Sequence, residues 1–175
     1  MSSSRRLLLG NFLALVLAGC GFHLRGAPDI PPEMARTYIA TDERYSLFYR
    51  KLAAHLEQAG IELVDSPEKA TAELVILADD TGQRVLSVSA RNVPREYEVY
   101  YTIYYSLVSG PAVLMEPQLK TLTRDYTYDE TRVLGKAREE DLLREAIADD
   151  LVRLVMFQLS SLHQSVGGAP ASEAS

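Results

Sequence analysis

The chain predicts an α+β protein: a two-layer α/β sandwich in which two helices cover one face of a four-stranded mixed sheet, in the order β-α-β-β-β-α. Three observations carry this prediction. Residues 95–108 alternate, with Tyr97, Val99, Tyr101, Ile103, Tyr105 and Leu107 at odd positions and Glu96, Glu98, Tyr100, Thr102, Tyr104 and Ser106 between them. That is the period of a strand with one buried face. Two other stretches repeat apolar residues at helical spacing: Phe48, Leu52, Leu56 and Ala59, then Leu143, Ile147, Leu151, Leu154, Val155 and Leu162. The first helix lies between two strands, which should therefore run parallel through a right-handed crossover, while the later strands form antiparallel hairpins.

Residues 22–33 contain Pro28, Pro31 and Pro32 and show no periodicity, as expected of an extended tether. Residues 36–41, Arg-Thr-Tyr-Ile-Ala-Thr, have the β-branched and aromatic content of a short strand. Asp42 or Ser46 can cap the first helix, and Gly60 supplies its left-handed C-terminal stop. Residues 61–64 leave the helix, Ser66-Pro67 turns, and a long strand runs from Ala72 to about Ser89. Asp79-Asp80-Thr81-Gly82 interrupts it as a bulge or bend, or as a second hairpin.

Arg91-Asn92-Val93-Pro94 is the turn into the alternating strand, and Ser109-Gly110-Pro111 ends that strand. Pro117 introduces the last strand, 119–128. The intervening Pro111-Ala112-Val113-Leu114-Met115 is an apolar loop that either tucks beneath the helices or docks on a protein neighbour. A polar loop containing Gly135 leads to the last helix, 137–163, with Glu139, Glu140 and Asp141 in its first turn, where the helix dipole favours acids. From Val166 the chain is small and polar, cannot bury itself and should be disordered. The expected organisation is thus a signal peptide (1–19), a tether (20–36), a single sandwich domain (37–164) and a tail (165–175), without internal repeats.

Arg5 and Arg6, an apolar run to Leu17 and the small residues Ala18 and Gly19 precede Cys20, the only cysteine. The basic start, short apolar middle and small residues are those of a secretory signal peptide, and the middle is too short to span a bilayer stably. A lone cysteine in a secreted chain forms no internal disulfide. Leu17-Ala18-Gly19-Cys20 is similar to the bacterial lipobox, whose cysteine is acylated and becomes the new N-terminus. Burial of acyl carbons is worth ~0.8 kcal/mol per methylene, so a triacylated Cys20 would hold the domain firmly to membrane lipid. Gly21 replaces the Asp that marks inner-membrane retention in enterobacterial lipoproteins, which points to the periplasmic leaflet of the outer membrane.

The formal net charge is −6, and loss of Arg5 and Arg6 with the leader makes it two units more negative. An acidic body disfavours nucleic acid as a partner. The three histidines, His23, His55 and His163, share no ligand spacing, so neither a metal nor another cofactor is expected. Nucleophile elbow, phosphate-cradling glycine loop and HExxH are all missing, and the adjacent carboxylates suit a solvated bend and a helix start better than acid–base work. No enzyme is expected.

Two clusters remain. If the second long strand runs upward, its turn at Arg91 and the loop 129–136 both lie at the top of the sheet. Arg91, Arg95, Arg132, Lys136 and Arg138 then converge at the end remote from the tether. Such a group suits phosphate recognition, or else these residues pair with Glu96, Glu130 and Glu139. Seven of the ten tyrosines fall between Tyr97 and Tyr128. Tyr100 and Tyr104 take the outer face of the sheet, where they either meet a partner or pack across strands with their hydroxyls in water.

Cys20-Gly21-Phe22-His23-Leu24-Arg25 resembles the start of mature members of the LptE family, also called RlpB. The likeness continues through the element order, the Arg91-Asn92 turn before a Tyr-rich strand and the Leu134-Gly135-Lys136 approach to the last helix. The resemblance implies an outer-membrane lipoprotein that plugs a large β-barrel of the LptD type and helps deliver lipopolysaccharide to the outer leaflet. The lipid A phosphates are then a target for the basic end, and Tyr100 and Tyr104 for the barrel interface. The rival expectation is a lipoprotein activator of a periplasmic peptidoglycan synthase, with the exposed sheet face gripping an enzyme.

Overall fold

A computed structural model describes the backbone of residues 30–127 and 133–167 and the side chains of 30–127 and 138–162. The signal peptide, Cys20, the first part of the tether, Arg132 and the tail from 168 lie outside the described residues, as does the side chain of Lys136.

The strands are β1 (Arg36–Ala40), β2 (Glu62–Leu63), β3 (Ala72–Val88), β4 (Pro94–Ser109) and β5 (Ala112–Thr127), with helices α1 (Leu47–Gln58) and α2 (Val133–Gly167). They form one mixed sheet in the order β2-β1-β3-β4-β5, parallel across β2-β1-β3 and antiparallel across β3-β4-β5. The sheet has five strands rather than four, and the element order is β-α-β-β-β-β-α. The added strand is the two-residue β2, which lies in the segment expected merely to leave the first helix.

Local chemistry explains the elements. The Ser46 hydroxyl caps α1 by accepting from the Tyr49 N–H at 2.9 Å. Gly60 closes it at φ 87°, with its N–H donating to the Glu57 carbonyl and that of Ile61 to the Leu56 carbonyl. Ser46 also donates to the Asp79 carboxylate at 2.5 Å, and the Tyr101 hydroxyl accepts from the Phe48 N–H at 3.2 Å. Two orphan donors at the start of α1 are thereby satisfied, and the helix is tied to β3 and β4.

Between the sheet and the helices lies a core that includes Phe48, Leu52 and Leu56 of α1, Leu74 and Ile76 of β3, and Val99, Tyr101, Ile103, Tyr105 and Leu107 of β4. From α2 it receives Ile147, Ala148, Leu151, Val152, Val155, Met156 and Leu159. The odd positions of β4 from Val99 to Leu107 are buried as the alternation requires, and Tyr97 packs partly against them. Burial pushes the Tyr105 hydroxyl up to about 12, and it donates to Gln158 Oε1 of α2 at 2.9 Å. The Lys51–Asp149 ion pair at 2.7 Å links the two helices.

Several expectations are corrected. Met34, assigned to the tether, is fully buried, and its carbonyl accepts from the buried Thr37 hydroxyl, so the packed domain begins before residue 37. β3 is not interrupted at Asp79–Gly82; its register shifts beside Leu77 and again around Ser87. The apolar segment 111–115 is no loop: Gly110, at φ 54°, turns the chain and Ala112 already starts β5. Pro117 lies within that strand, tolerated because β5 is an edge and needs no N–H there. α2 begins at Val133, so Glu139–Asp141 lie beyond its first turn, and Leu154 is exposed rather than part of the core face.

Length is what places the candidate site. At ~3.3 Å per residue the 17 residues of β3 span roughly 56 Å, whereas the 12 residues of α1 span only ~18 Å. The 35-residue α2, at ~52 Å, matches β4 and β5. The far half of β3 therefore projects past α1, and Thr81, Gln83 and Val85, on the helix-facing side by their register opposite Tyr101, Val99 and Tyr97, are exposed.

Candidate functional site: the basic end and the outer face of the sheet

The turn between β3 and β4 is built by Ser89. Its N–H donates to the Val93 carbonyl at 2.7 Å, its carbonyl accepts from the Asn92 N–H at 2.9 Å, and its hydroxyl accepts from the Val93 N–H at 3.2 Å. Asn92 takes the left-handed conformation at φ 60°, which an Asn side chain tolerates better than most. Arg91 is thus presented at a hydrogen-bonded tip, and it is exposed.

The pairings Val88↔Pro94 and Glu96↔Thr127 bring this tip and the end of β5 to the same end of the sheet. Tyr126 stacks on Tyr97 at 5.5 Å between ring centroids and donates to Gln83 Oε1 at 2.8 Å. Its hydroxyl is held above the ordinary phenol range by burial and then by the charge of Glu140, which sets this part of α2 beside the end of β5.

Arg91, Arg95 and the early part of α2 that carries Lys136 and Arg138 therefore share one end of the molecule. Residue 30 enters at the opposite end, because Arg36 pairs with Glu62 and Thr37 with the first residue of β3. Arg95 and Arg138 are exposed like Arg91, and among the described residues none of the three has an ion-pair partner. Other arginines are engaged: Arg84 with Glu98, Arg124 with Asp150, and Arg144 with Glu140. Glu96, a suggested partner for the cluster, is held instead by the Ser87 hydroxyl at 2.7 Å.

On the outer face, the register sets Tyr100 between Gly82 and Thr123, and Tyr104 between Ala78 and Leu119. The two tyrosines differ. A methyl group on Gly82 would come within 2.6 Å of the Tyr100 hydroxyl oxygen, so this ring lies over the glycine backbone and fills the place of its missing side chain. Tyr104 is 36% exposed beside Leu119 at 64%, an aromatic–aliphatic pair turned to solvent. Leu119 was missed in the sequence because its place opposite Tyr104 depends on a register that the shift after Tyr105 sets.

Among the described residues no group of three His, Cys, Asp or Glu side chains could hold a metal ion, and no helix is long and apolar enough to cross a membrane. The His55 ring lies 2.9 Å from the Lys51 carbonyl within its own helix.

Comparison with known proteins converges on one assignment. The chain is 27% identical over 158 residues to the LPS-assembly lipoprotein LptE of Yersinia enterocolitica, covering 90% of this chain and 76% of that one. It is 25% identical over 176 residues to the protein of the same name from Yersinia pestis, with 96% and 84% covered. Among solved structures, a lipoprotein B from Nitrosomonas europaea superimposes with a TM-score of 0.70 at 27% identity, over 83% of this chain and 94% of that one. The rare lipoprotein B of Shewanella oneidensis shares the fold, with a TM-score of 0.65 at 19% identity, over 75% and 98%. The lipopolysaccharide-assembly model LptE matches residues 34–159, which exclude the lipobox-like segment that carried the first resemblance, and the chain belongs to the LptE family of lipopolysaccharide-assembly lipoproteins.

Proposed function

We propose that this chain is a non-enzymatic lipoprotein subunit of the lipopolysaccharide-export machinery, anchored through acylated Cys20 to the periplasmic leaflet of the outer membrane. In this reading it plugs a β-barrel of the LptD type and engages lipopolysaccharide during delivery. The observation that carries the lipopolysaccharide contact is the set of arginines, Arg91, Arg95 and Arg138, that have no ion-pair partner among the described residues and are gathered on an acidic protein at the end remote from residue 30. Lys136 belongs to the same end by its place in α2, and Arg132 is included as a member expected from the sequence. Guanidinium groups meet phosphate through charge-assisted, often bidentate, hydrogen bonds, each worth roughly 1.5–3 kcal/mol when sheltered and less at an exposed tip. The barrel contact is assigned to the outer face around Tyr100 and Tyr104, with Tyr104 and Leu119 as its exposed apolar part.

One experiment with two readouts tests both halves. Arg91→Asp with Lys136→Asp is expected to weaken lipopolysaccharide binding at least tenfold, with a strong dependence on salt, while co-purification with the barrel is retained. Tyr104→Ala is expected to do the reverse, lowering barrel recovery with little change in melting temperature. Undiminished lipopolysaccharide binding by the double variant would reduce the basic end to ordinary solvated surface. Recovery of a penicillin-binding protein in place of a barrel would favour peptidoglycan-synthase activation instead.

A further inference from the structure

The arm that β3 and β4 extend past α1 carries apolar side chains that the core does not use. Val85 is 47% exposed, Leu86 46% and Val88 54%. They do not share one face: alternation separates Val85 from Val88, and the register shifts around Ser87 take Leu86 out of the pairing. Val85 pairs with Tyr97 on the helix side, Leu86 is the extra residue of a bulge, and Val88 pairs with Pro94. Three aliphatic residues within four positions thus surround the arm instead of packing beneath a helix. Single exposed apolar residues are ordinary, but a group at one hairpin end marks a contact surface.

What it contacts is indicated by the charges around it. Arg91 lies at the turn just beyond the aliphatic group and Arg95 lies level with it, between the partners of Ser87 and Val88. Among the described residues neither has an ion-pair partner, while Arg84 just before the group is paired with Glu98. An apolar collar below a cationic tip is complementary to an acylated anionic amphiphile. A free phosphate would leave the collar bare, and a polar glycan packed on the aliphatic side chains would lose its own hydration without compensation.

We propose that Val85, Leu86 and Val88 form an acyl-chain contact, so that the arm binds the lipid A half of lipopolysaccharide by its hydrocarbon as well as by its phosphates. This deepens the reading of the basic end given above and rests on it. The tip and the collar then make separable contributions: charge fixes the headgroup, and the collar shelters part of a chain that leaves the membrane or the micelle.

The test uses the full-length acylated protein in a nonionic detergent and three probes: intact lipopolysaccharide, lipopolysaccharide stripped of its acyl chains by alkali, and phosphatidylglycerol vesicles. The variant is Val85→Thr, Leu86→Thr and Val88→Thr together. Threonine keeps the β-branched shape suited to a strand, and an unchanged melting temperature checks the fold. Wild-type protein should bind intact lipopolysaccharide about tenfold more tightly than the stripped form, and the triple variant should lose most of that difference without weakening binding to the stripped form. If the triple variant melts early, Val88→Thr alone, at the last position of β3, is read by the same ratio. Equal wild-type affinity for the two forms, or intact binding unchanged in the variant, overturns the acyl contact alone. Tighter binding to the vesicles than to lipopolysaccharide makes the arm a general lipid-docking surface and overturns its assignment to lipid A. Absence of wild-type binding to either form of lipopolysaccharide overturns the basic-end reading itself.

Discussion

Phe48→Ala is expected to destabilise the domain by about 3–5 kcal/mol, a large share of the stability typical of a protein this size. Phe48 is fully buried, meets the Tyr101 ring edge-on at 6.4 Å between centroids, and stands in the first turn of α1. Truncation removes the transfer energy of the ring and leaves a cavity between α1 and β4 that neighbouring side chains fill only in part. A 12-residue helix has little intrinsic stability and depends on its packed face, so the loss should fall first on α1. Thermal unfolding should show a midpoint lowered by on the order of 10 °C. A drop of only a degree or two would mean that α1 contributes little to the cooperative unit.

The second large effect concerns location. Cys20→Ala should prevent acylation, so that the protein leaves the membrane fraction or stays as an unprocessed precursor. The reason is additive: each acyl chain contributes ~0.8 kcal/mol per buried methylene, and without them only the proposed barrel contact would hold the protein at the membrane. Fractionation followed by mass spectrometry of the wild-type N-terminus checks this. An unmodified thiol at Cys20 in the wild-type protein would remove the anchor from the account.

Sequence made the two-layer plan legible because its signals are long. Alternation over residues 95–108 and helical spacing from Ile147 to Val155 each repeat often enough to define a face, and those faces are buried. The features that escaped are short or ambiguous. Glu62 and Leu63 are too few to display a period, and their pairing with Arg36 and Thr37 is a tertiary event. Gly110-Pro111 and Pro117 looked like boundaries, yet a tight turn and an edge position accommodate them inside one hairpin. Gly135 suggested a loop, but one glycine costs a helix only about 1 kcal/mol, which its continuation can outweigh. Leu154 fits the apolar spacing and still faces solvent, because the core-facing arc is centred on Leu151, Val152, Val155 and Leu159 instead.

The candidate site was legible in a different way. Strand direction alone brought Arg91 and Arg95 to the same end as the start of α2, since that inference needs only the number of reversals between them. What the sequence did not reveal was the collar of Val85, Leu86 and Val88. In an alternating strand those residues belong to opposite faces and form no stripe, and the bulge that frees Leu86 from pairing is visible only in the register. Tyr100 likewise looked equivalent to Tyr104 until its ring was found over Gly82.

The mismatch between α1 and the long strands turns the end of the β3–β4 hairpin into a cantilever. Its root is packed beneath two helices, whereas its free portion is braced on the helix side only along β4 and β5. Opening free energy should therefore fall along the hairpin from Ile103 toward Arg91, since protection follows local burial rather than the backbone ladder alone. The groups assigned to ligand stand at the compliant extremity of a stiff body. Such an arm can bend to follow a bulky, heterogeneous glycolipid while the packed layer beneath it, and whatever holds that layer, stays still.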